Sequence, residues 1–410
     1  MTYFHVCYNT KLIKSEIVNL KKSNMKKYLF IAVSAIVLLA ACNNNDETFT
    51  SSNNDQPQLS NEFAISNDEA KGLLNFFIND GATTRSDGKT ISVKDYKVRN
   101  IEITVDDNTE IVPLYEYTTV NENGDEGYSI VIGDSRIQKV LVQVEKGSLA
   151  DTINIEPLRW YINSISAIVE NDLCQYYDSL KEKATWSTRD SYVETHYCFL
   201  PTAWGQWDPY NLQCPVDTID NYVIHCPAGC MPIAIAQILA YHRVPSSLSW
   251  TSILQSPIVT SSSPSTVKTE VSNLIATLGT QSSTSYSLNG SPSDTSLAPS
   301  VIQSYSLYSS SIYAFNIGEV IMSLSNSRPV IMIGDTSITD PNTNTPYGHM
   351  WVCDGWKRHH YDNNVYYDYL NMNWGWSGNS NGFYYISNPM SFNTSVVNIV
   401  QNFKMITDIH

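Results

Sequence analysis

The chain has 410 residues, too many for one ordinary hydrophobic core, so its length predicts two globular units beside any targeting segment. Its formal net charge of -15 at pH 7 argues against nucleic acid or an anionic lipid surface as an electrostatic partner. Hydrophobic residues make up 42% of the chain, which is ample for packed domains.

The N-terminal region has the pattern of an export signal. The basic start Met25–Lys27 is followed by an apolar run from Tyr28 to Ala41. A run of this length behind a basic start is typical of an export signal and is too short for a membrane span. We therefore expect residues 1–24 to lie upstream of the natural start, and residues 25–41 to be a signal peptide. A plain transmembrane anchor is the alternative interpretation.

The apolar run ends in a sequence that resembles a bacterial lipobox, Leu39-Ala40-Ala41-Cys42. In a lipobox the cysteine is diacylated and becomes the mature N-terminus, so we expect Cys42 to carry a lipid. Residues 42–58, rich in Asn, Ser, Asp and Thr, then predict a disordered tether. The expected location is the cell envelope, on the outer membrane or the cell surface, with the lipid as the only membrane contact.

Residues 59–180 predict a small α+β domain. Ser66 and Glu69 have the spacing of a capping box, and the residues after them place one apolar face on a helix, with Ala70, Leu73, Leu74 and Phe77. Three short strands separated by turn residues follow: Asn100 to Val105, Ile111 to Thr118 and Gly127 to Ile132. A second helix is predicted from Leu158 to Leu173.

Residues 181–195 are polar and basic at Lys181, Lys183 and Arg189, and predict an exposed linker. Beyond them the segment from Cys230 to His242 is apolar almost all round, which predicts a buried helix. A helical stripe from Val267 to Leu278 ends, by this interpretation, at Gly279. Later apolar segments predict strands: Pro329 to Ile333, Met350 to Cys353, Val365 to Leu370 and Phe383 to Ile386.

Cys230 follows Pro227-Ala228-Gly229 and begins the predicted buried helix. The unbonded N–H groups and the positive end of the dipole at a helix N-terminus favour thiolate over thiol. This position therefore favours a nucleophilic cysteine. The alternative is an inert buried thiol, which is the more common role of a free cysteine.

His349 and Asn373 complete the chain order that an activated thiol needs. In such a mechanism the His takes the thiol proton and later protonates the leaving amine, while an Asn side chain accepts from the other imidazole nitrogen. Asn373 is followed by Trp374 and Trp376. The alternative, a glycine turn beside aromatic core residues, accounts for the two Trp residues but not for the whole order.

Four ordered stretches resemble the streptopain-type cysteine peptidases, a family with a papain-like fold and an N-terminal inhibitory propeptide. The stretches are Trp204–Asn211, Gly229–Pro245, Gly348–Gly355 and Asn373–Gly378. The resemblance implies an α+β fold, with a papain-like catalytic domain of a helical part and an antiparallel β part at residues 196–410. It also implies an inhibitory propeptide at residues 59–180, where Gly127–Arg136 is similar to the family's propeptide, and a processing linker at residues 181–195.

The resemblance also implies a role for each site residue. Cys230 would be the nucleophile and His349 the general base and acid. The Gln206 amide would join the Cys230 backbone N–H in the oxyanion hole. Asn373 would orient His349, and Trp374 would shield that contact from water. In one departure from the family's pattern, Met231 stands where a small residue usually follows the nucleophile.

Other interpretations use the same polar residues. His225, Cys226, Cys230 and His242 suggest zinc, but their spacing does not match an established ligand pattern, so neither a metal nor a cofactor is expected. His359-His360 lies in a charged stretch and is interpreted as solvated surface. Disulfides among Cys174, Cys198, Cys214, Cys226, Cys230 and Cys353 remain open, although a nucleophilic Cys230 must stay unpaired.

Two other functions are considered. One is a non-catalytic surface lipoprotein that binds peptides in the same groove, and it is disfavoured because Gln206, Cys230 and His349 are all intact. The other is a transglutaminase or amidase, which would not explain the Trp204-Gly205-Gln206 stretch together with Asn373–Trp376.

We therefore expect a secreted cysteine endopeptidase that is made as an inactive zymogen and forms an acyl-enzyme through a Cys–His thiolate. Its expected partners are protein or peptide substrates and its own propeptide, and not nucleic acid. A thiolate–imidazolium pair would give Cys230 an alkylation inflection well below the ~8.5 of free cysteine. If processing detaches the catalytic domain from the propeptide and its lipid, that domain is released.

Overall fold

The computed structural model describes residues 62–80, 91–105, 108–152, 156–181, 192–219, 222–339, 346–362, 365–386 and 403–410. The predicted upstream segment, signal peptide, lipidation site at Cys42 and tether lie outside these residues. Most of the predicted linker, residues 182–191, lies outside them too. No helix in the described ranges is long and apolar enough to cross a membrane.

The first part of the described chain contains helices and antiparallel strands, as its sequence predicts. Its elements are α1 (Asn67–Ile78), β1 (Ser92–Val105), β2 (Asn108–Val120), β3 (Glu126–Ile132), β4 (Val140–Val144), α2 (Leu149–Thr152) and α3 (Glu156–Lys181). The capping box of α1 forms: Ser66 N–H donates to Glu69 Oε2 at 2.8 Å, and Glu69 N–H donates to Ser66 Oγ at 3.3 Å.

The second part begins with short strands and helices and ends in longer strands. Its first elements are β5 (Tyr192–Tyr197), β6 (Val216–Ile219), β7 (Tyr222–His225), α4 (Cys230–His242), α5 (Trp250–Ile253), α6 (Ser265–Gln281) and α7 (Ala298–Ser304). Its last are β8 (Tyr313–Ala314), α8 (Ile317–Ser325), β9 (Val330–Thr339), β10 (Pro346–Asp362), β11 (Val365–Asn373), β12 (Gly382–Ile386) and β13 (Lys404–Ile406). The chain is thus α+β, and the predicted fold class is confirmed.

One antiparallel sheet runs through both parts of the chain. Its strand order is β1-β2-β3-β4-β12-β11-β10-β9-β13-β8, and β5 pairs with β10 off this path. The N-terminal strands join the C-terminal ones where β4 pairs with β12, with Val142 opposite Tyr384 and Val144 opposite Gly382. All described residues therefore belong to one compact unit.

Helix α4 lies at the centre of the core next to the sheet. It packs against β10 on one side and against α6 and α7 on others. Every residue from Cys230 to Ala240 is buried, as the apolar character of the segment predicts. A helix buried on all sides holds its first residue rigidly, so α4 fixes the position of Cys230.

Two local predictions are wrong. Helix α6 continues through Gly279 to Gln281, because this glycine makes room for a neighbour: a Cβ on Gly279 would lie 1.9 Å from the Tyr286 hydroxyl. His359 and His360 are in strand β10 and not in a solvated loop. His359 is 3% exposed and packs on Phe76 with ring centroids 5.2 Å apart.

Candidate active site

Cys230 is the first residue of α4, and the chain reaches it through a glycine in the left-handed region. Gly229, the N-cap, has φ 89° and ψ 147° and makes no side-chain cap. A Cβ on Gly229 would lie 2.6 Å from the carbonyl oxygen of Ser291. Both the conformation and the close approach therefore require glycine immediately before the thiol.

The thiol of Cys230 lies against the strand that carries His349. Hydrogen bonds from the backbone of Met350, of Met231 and of Cys230 itself favour the thiolate. Met350 follows His349 directly in β10, so the sulfur and the imidazole come from adjacent points of the two elements. Cys230 is buried, with 8% exposure, and is a free thiol.

A backbone carbonyl fixes the ring of His349. His349 Nε2 lies 2.8 Å from the carbonyl oxygen of Trp374. Because a carbonyl can only accept, Nε2 must carry the proton in the neutral ring, and Nδ1 then holds the lone pair. Nδ1 is buried and has no hydrogen-bond partner among the residues that the structure describes. The arrangement leaves one basic nitrogen available for a proton.

Indole rings enclose His349. The ring of Trp376 is nearly parallel to it with centroids 4.8 Å apart, and Trp351 and Trp374 lie at 5.9 and 6.3 Å. Trp374 and Trp376 also stack on each other at 5.4 Å. His349 is 3% exposed, so this aromatic enclosure shields the imidazole from water; the contact with Asn373 that Trp374 was predicted to shield is not formed.

Asn373 does not bind His349, contrary to the prediction. Its Nδ2 donates to the Thr202 carbonyl at 2.8 Å, and its Oδ1 accepts from Gln237 Nε2 at 3.3 Å. Strand β11 ends at Asn373, and it is the carbonyl of the next residue that reaches the imidazole. The Trp374 main chain thus occupies the place predicted for the Asn373 side chain.

Gln206 lies beside the start of α4. Its carbonyl accepts a hydrogen bond from Ala228 N–H at 2.8 Å, two residues before Cys230. Its side chain is 2% exposed, and its Nε2 has no hydrogen-bond partner in the described part of the chain. A buried amide donor without a hydrogen-bond partner is energetically unfavourable. A hydrogen-bond acceptor placed next to Gln206 Nε2 would therefore be stabilised there.

Burial favours the neutral form of both groups of the pair. It raises the pKa of the Cys230 thiol to about 11, against the backbone hydrogen bonds that favour the thiolate. It also lowers the pKa of His349 to about 4, although the Trp374 carbonyl favours the protonated ring. Burial thus opposes charge on both groups, against the effect expected of the helix N-terminus, and the thiolate–imidazolium pair stays a prediction.

Comparison with known proteins identifies the chemistry. Residues 204–384 match the model of the Peptidase C10 family. Streptopain of Streptococcus pyogenes serotype M1 is 24% identical over 384 residues, which cover 81% of this chain and 88% of the relative. A second Streptococcus pyogenes streptopain matches with the same identity and coverage. The chain is a cysteine-type peptidase, a hydrolase, and it is similar to the C10 family over these residues.

One solved structure is also similar to this chain. It is a fragment of prointerpain A from Prevotella intermedia, with a TM-score of 0.49 and 15% sequence identity. The match covers 77% of this chain and 98% of the fragment.

The described part of the chain holds no group of three or more His, Cys, Asp or Glu side chains that could bind a metal ion. Of the four residues considered for zinc, His225 instead places its Nδ1 2.8 Å from the Cys214 carbonyl. Burial raises the pKa of the Cys214 thiol to about 11 and that of the Cys226 thiol above its ordinary value.

The sequence analysis did not single out a further buried amide of this peptidase, that of Gln237. It lies on α4 and contacts both Trp204 and Asn373. The sequence contains an indication of this residue, because Gln237 is the one polar residue in a segment that is otherwise apolar from Met231 to Ala240.

Proposed function

We propose that this peptidase cleaves peptide bonds inside protein chains, with Cys230 as nucleophile and His349 as general base and acid. The observation that carries the proposal is the tautomer of His349. Its Nε2 is held by the Trp374 carbonyl, so its free Nδ1 is the nitrogen available to the neighbouring thiol.

The reaction proceeds in two halves. His349 Nδ1 takes the Cys230 proton as the sulfur attacks the carbonyl carbon of the peptide bond. Nδ1 then returns the proton to the leaving amine, and the substrate's acyl group remains on sulfur as a thioester. In the second half Nδ1 takes a proton from water, the hydroxide attacks the thioester, and Cys230 is regenerated with its proton.

Gln206 is proposed to stabilise the oxyanion together with the Cys230 backbone N–H. The support is its buried and unpartnered Nε2, on a loop that hydrogen-bonds to the residues before α4. A donor of this kind is worth about 2.7–4 kcal/mol of transition-state stabilisation, because it binds charge only as that charge develops.

The chain is further proposed to be a zymogen whose residues 59–180 hold the catalytic domain, residues 196–410, inactive. The β4–β12 pairing and the buried ion pair of Lys357 with Asp80 at 2.7 Å support a tight association between the two segments. Cleavage within residues 181–195 would release the inhibition.

The proposed location follows from the same processing. A lipid on Cys42 would anchor the precursor in the cell envelope, and cleavage in the linker would free the catalytic domain from that anchor. This localisation is supported by the basic start, apolar run and cysteine at residues 25–42.

Cleavage of an unfolded protein by purified variants tests the proposed function. Cys230→Ala and His349→Ala should each abolish cleavage, whereas Cys226→Ala, which removes a buried thiol four residues away, should retain it. Cleavage that survives Cys230→Ala would remove this thiol from the mechanism. Tight peptide binding by an inactive wild-type chain would favour the peptide-binding lipoprotein instead.

The zymogen proposal is tested by comparing the intact chain with the same chain after cleavage in residues 181–195. The processed chain should cleave peptides much faster, and its Cys230 should be alkylated with an inflection below that of the precursor. Equal activity before and after processing would refute an inhibitory role for residues 59–180.

A further inference from the structure

Gln237 is a polar residue in the interior of the buried helix α4, where apolar residues are the norm. It lies in the third turn of α4, is 0% exposed, and is surrounded along the helix by buried apolar residues. Burying an amide is unfavourable unless its donors and acceptors are bonded, so a glutamine here requires specific partners.

The partners of Gln237 form a closed ring of hydrogen bonds. Its Oε1 accepts from Thr202 Oγ1 at 3.3 Å, and its Nε2 donates to Asn373 Oδ1 at 3.3 Å. Asn373 closes the ring by donating from Nδ2 to the Thr202 carbonyl at 2.8 Å. A fourth bond joins Trp204 N–H to Gln237 Oε1 at 2.9 Å.

The ring connects three segments that carry the reacting groups. Gln237 lies two helical turns after Cys230, about 10 Å along the same rigid helix. Trp204 begins the segment that leads to Gln206. Asn373 immediately precedes Trp374, whose carbonyl holds the His349 ring.

We propose that Gln237 is a positioning residue, which sets the Trp374 carbonyl and the Gln206 segment relative to the nucleophile through Asn373 and Trp204. The proposal rests on the proposed function, because it assigns these segments to one reaction centre. It also gives Asn373 an indirect role. The hydrogen bonds of its side chain fix the backbone that continues into Trp374, and the Trp374 carbonyl then orients the His349 imidazole.

Loss of the ring should affect chemistry more than substrate binding. None of its members carries the proposed nucleophile, base or oxyanion donor, but each fixes a backbone segment beside one of them. A displacement of about 1 Å in such a segment is enough to cost about 100-fold in rate. We therefore expect kcat to fall and KM to stay within about twofold.

The first test replaces Gln237 with Met, which preserves volume and removes all three of its hydrogen bonds. The full chain of Gln237→Met should show iodoacetamide alkylation of Cys230 at least tenfold slower than wild type at pH 7, measured on the peptide that contains Cys230. After cleavage in residues 181–195, its kcat on a peptide substrate should be about 10- to 100-fold below that of wild type cleaved in the same way. The matched control is Ile235→Val, which perturbs packing on the same helix and should keep both rates within about twofold.

The second test separates hydrogen bonding from packing through pH. A protonated Glu at position 237 can donate to Asn373 Oδ1 and accept from Trp204 N–H, as Gln does, whereas a carboxylate cannot donate. Burial raises a carboxyl pKa above its ordinary ~4.3. The alkylation rate of Gln237→Glu divided by that of wild type should therefore be near one at about pH 5 and fall at least tenfold by pH 8.

Each outcome decides the proposal. It is overturned if folded Gln237→Met matches wild type in alkylation and kcat, or if the Gln237→Glu ratio does not change with pH. If Gln237→Met fails to fold, the pH dependence of alkylation of folded Gln237→Glu decides the proposal by itself. An inactive wild-type chain whose Cys230 alkylation still depends on Gln237 would refute the proposed function while supporting this inference.

Discussion

At the scale of single residues, burial shifts the pKa values of two histidines in the same direction. His349 and His359 are both almost fully enclosed, and burial lowers the pKa of each to about 4. His349 has a proposed task, because its bonded Nε2 leaves a basic Nδ1. His359 has none that we can assign, and it therefore serves as a probe of what burying a histidine costs the fold.

His359 is expected to make the fold sensitive to acid. Its folded pKa lies below the ~6.5 of an unfolded chain, so between about pH 6.5 and 4 the unfolded state binds a proton that the folded state does not. Above pH 6.5 His359 is neutral in both states and does not lower the free energy of unfolding. On acidification below pH 6.5 the free energy of unfolding falls, by at most about 1.4 kcal/mol per pH unit.

The variant His359→Phe, which can pack on Phe76, should lose less stability on acidification than wild type does. Urea unfolding of both proteins at several pH values would measure this loss. At pH 7 to 8, the difference in unfolding free energy between the variant and wild type reports only the change in packing. A difference in unfolding free energy that stays constant from pH 7 to pH 4 would contradict the account.

At the scale of elements, the start of α4 shows how a turn places a functional group. Gly229 combines a φ of 89° with a close approach to the Ser291 carbonyl, and the helix begins at the next residue. A side chain here must strain the turn or move Ser291. Either change would shift Cys230, because the rest of α4 is fixed by packing on every side.

Gly229→Ala should therefore destabilise the chain by about 1–3 kcal/mol. Gly72→Ala is the matched control: Gly72 lies within α1, and a Cβ there would meet nothing within 4 Å. The control should stabilise the chain by about 0.5–1 kcal/mol, because alanine favours helix. Urea midpoints that move in the same direction for both variants would contradict this interpretation.

Elements with strong local signals could be predicted from the sequence, and those set by distant contacts could not. The bounds of α4 follow from its glycine and its apolar run, and α1 follows from its capping box. The continuation of α6 past Gly279 depends on Tyr286, which the local pattern does not show. Likewise β10 extends far beyond its predicted end at Cys353, because β5 and β11 pair with its polar half.

In the candidate site too, some features could be predicted from the sequence and others depend on distant contacts. Chain order and residue type indicated Cys230 and His349, and the resemblance to the family implied Gln206; the structure places the thiol beside the His349 strand. They did not indicate which atom of the Asn373-Trp374 pair holds the imidazole. That depends on where β11 ends and on the partners of the Asn373 amide, Thr202 and Gln237, which are far away in sequence.

At the scale of the whole molecule, the N-terminal segment and the catalytic segment share one sheet and a buried charge. Lys357 of β10 is 2% exposed and pairs with Asp80 at 2.7 Å. It also donates to the Phe77 carbonyl at 3.1 Å and lies over the Phe77 and Phe383 rings. A cation buried this deeply depends on the carboxylate that the N-terminal segment supplies.

Asp80→Asn should cost about 3 kcal/mol of unfolding free energy, the lower end for breaking a buried pair, because Asp80 itself is partly exposed. It should also raise the basal activity of the unprocessed chain by weakening association of the two segments. Glu126→Gln is the control, since it breaks an exposed ion pair with Lys94 and should cost less than about 1 kcal/mol. Equal costs for the two variants would refute a special role for Lys357.

The central claim is that the Cys230 sulfur is the atom that forms the covalent intermediate. The most direct measurement is peptide mapping by mass spectrometry after the active chain reacts with a peptidyl vinyl sulfone, an electrophile that a peptidase thiol captures irreversibly. We predict one adduct per chain, on Cys230, which accumulates in step with the loss of proteolysis and is absent from His349→Ala. Loss of proteolysis with the adduct on another cysteine, or with no adduct at all, would contradict the account.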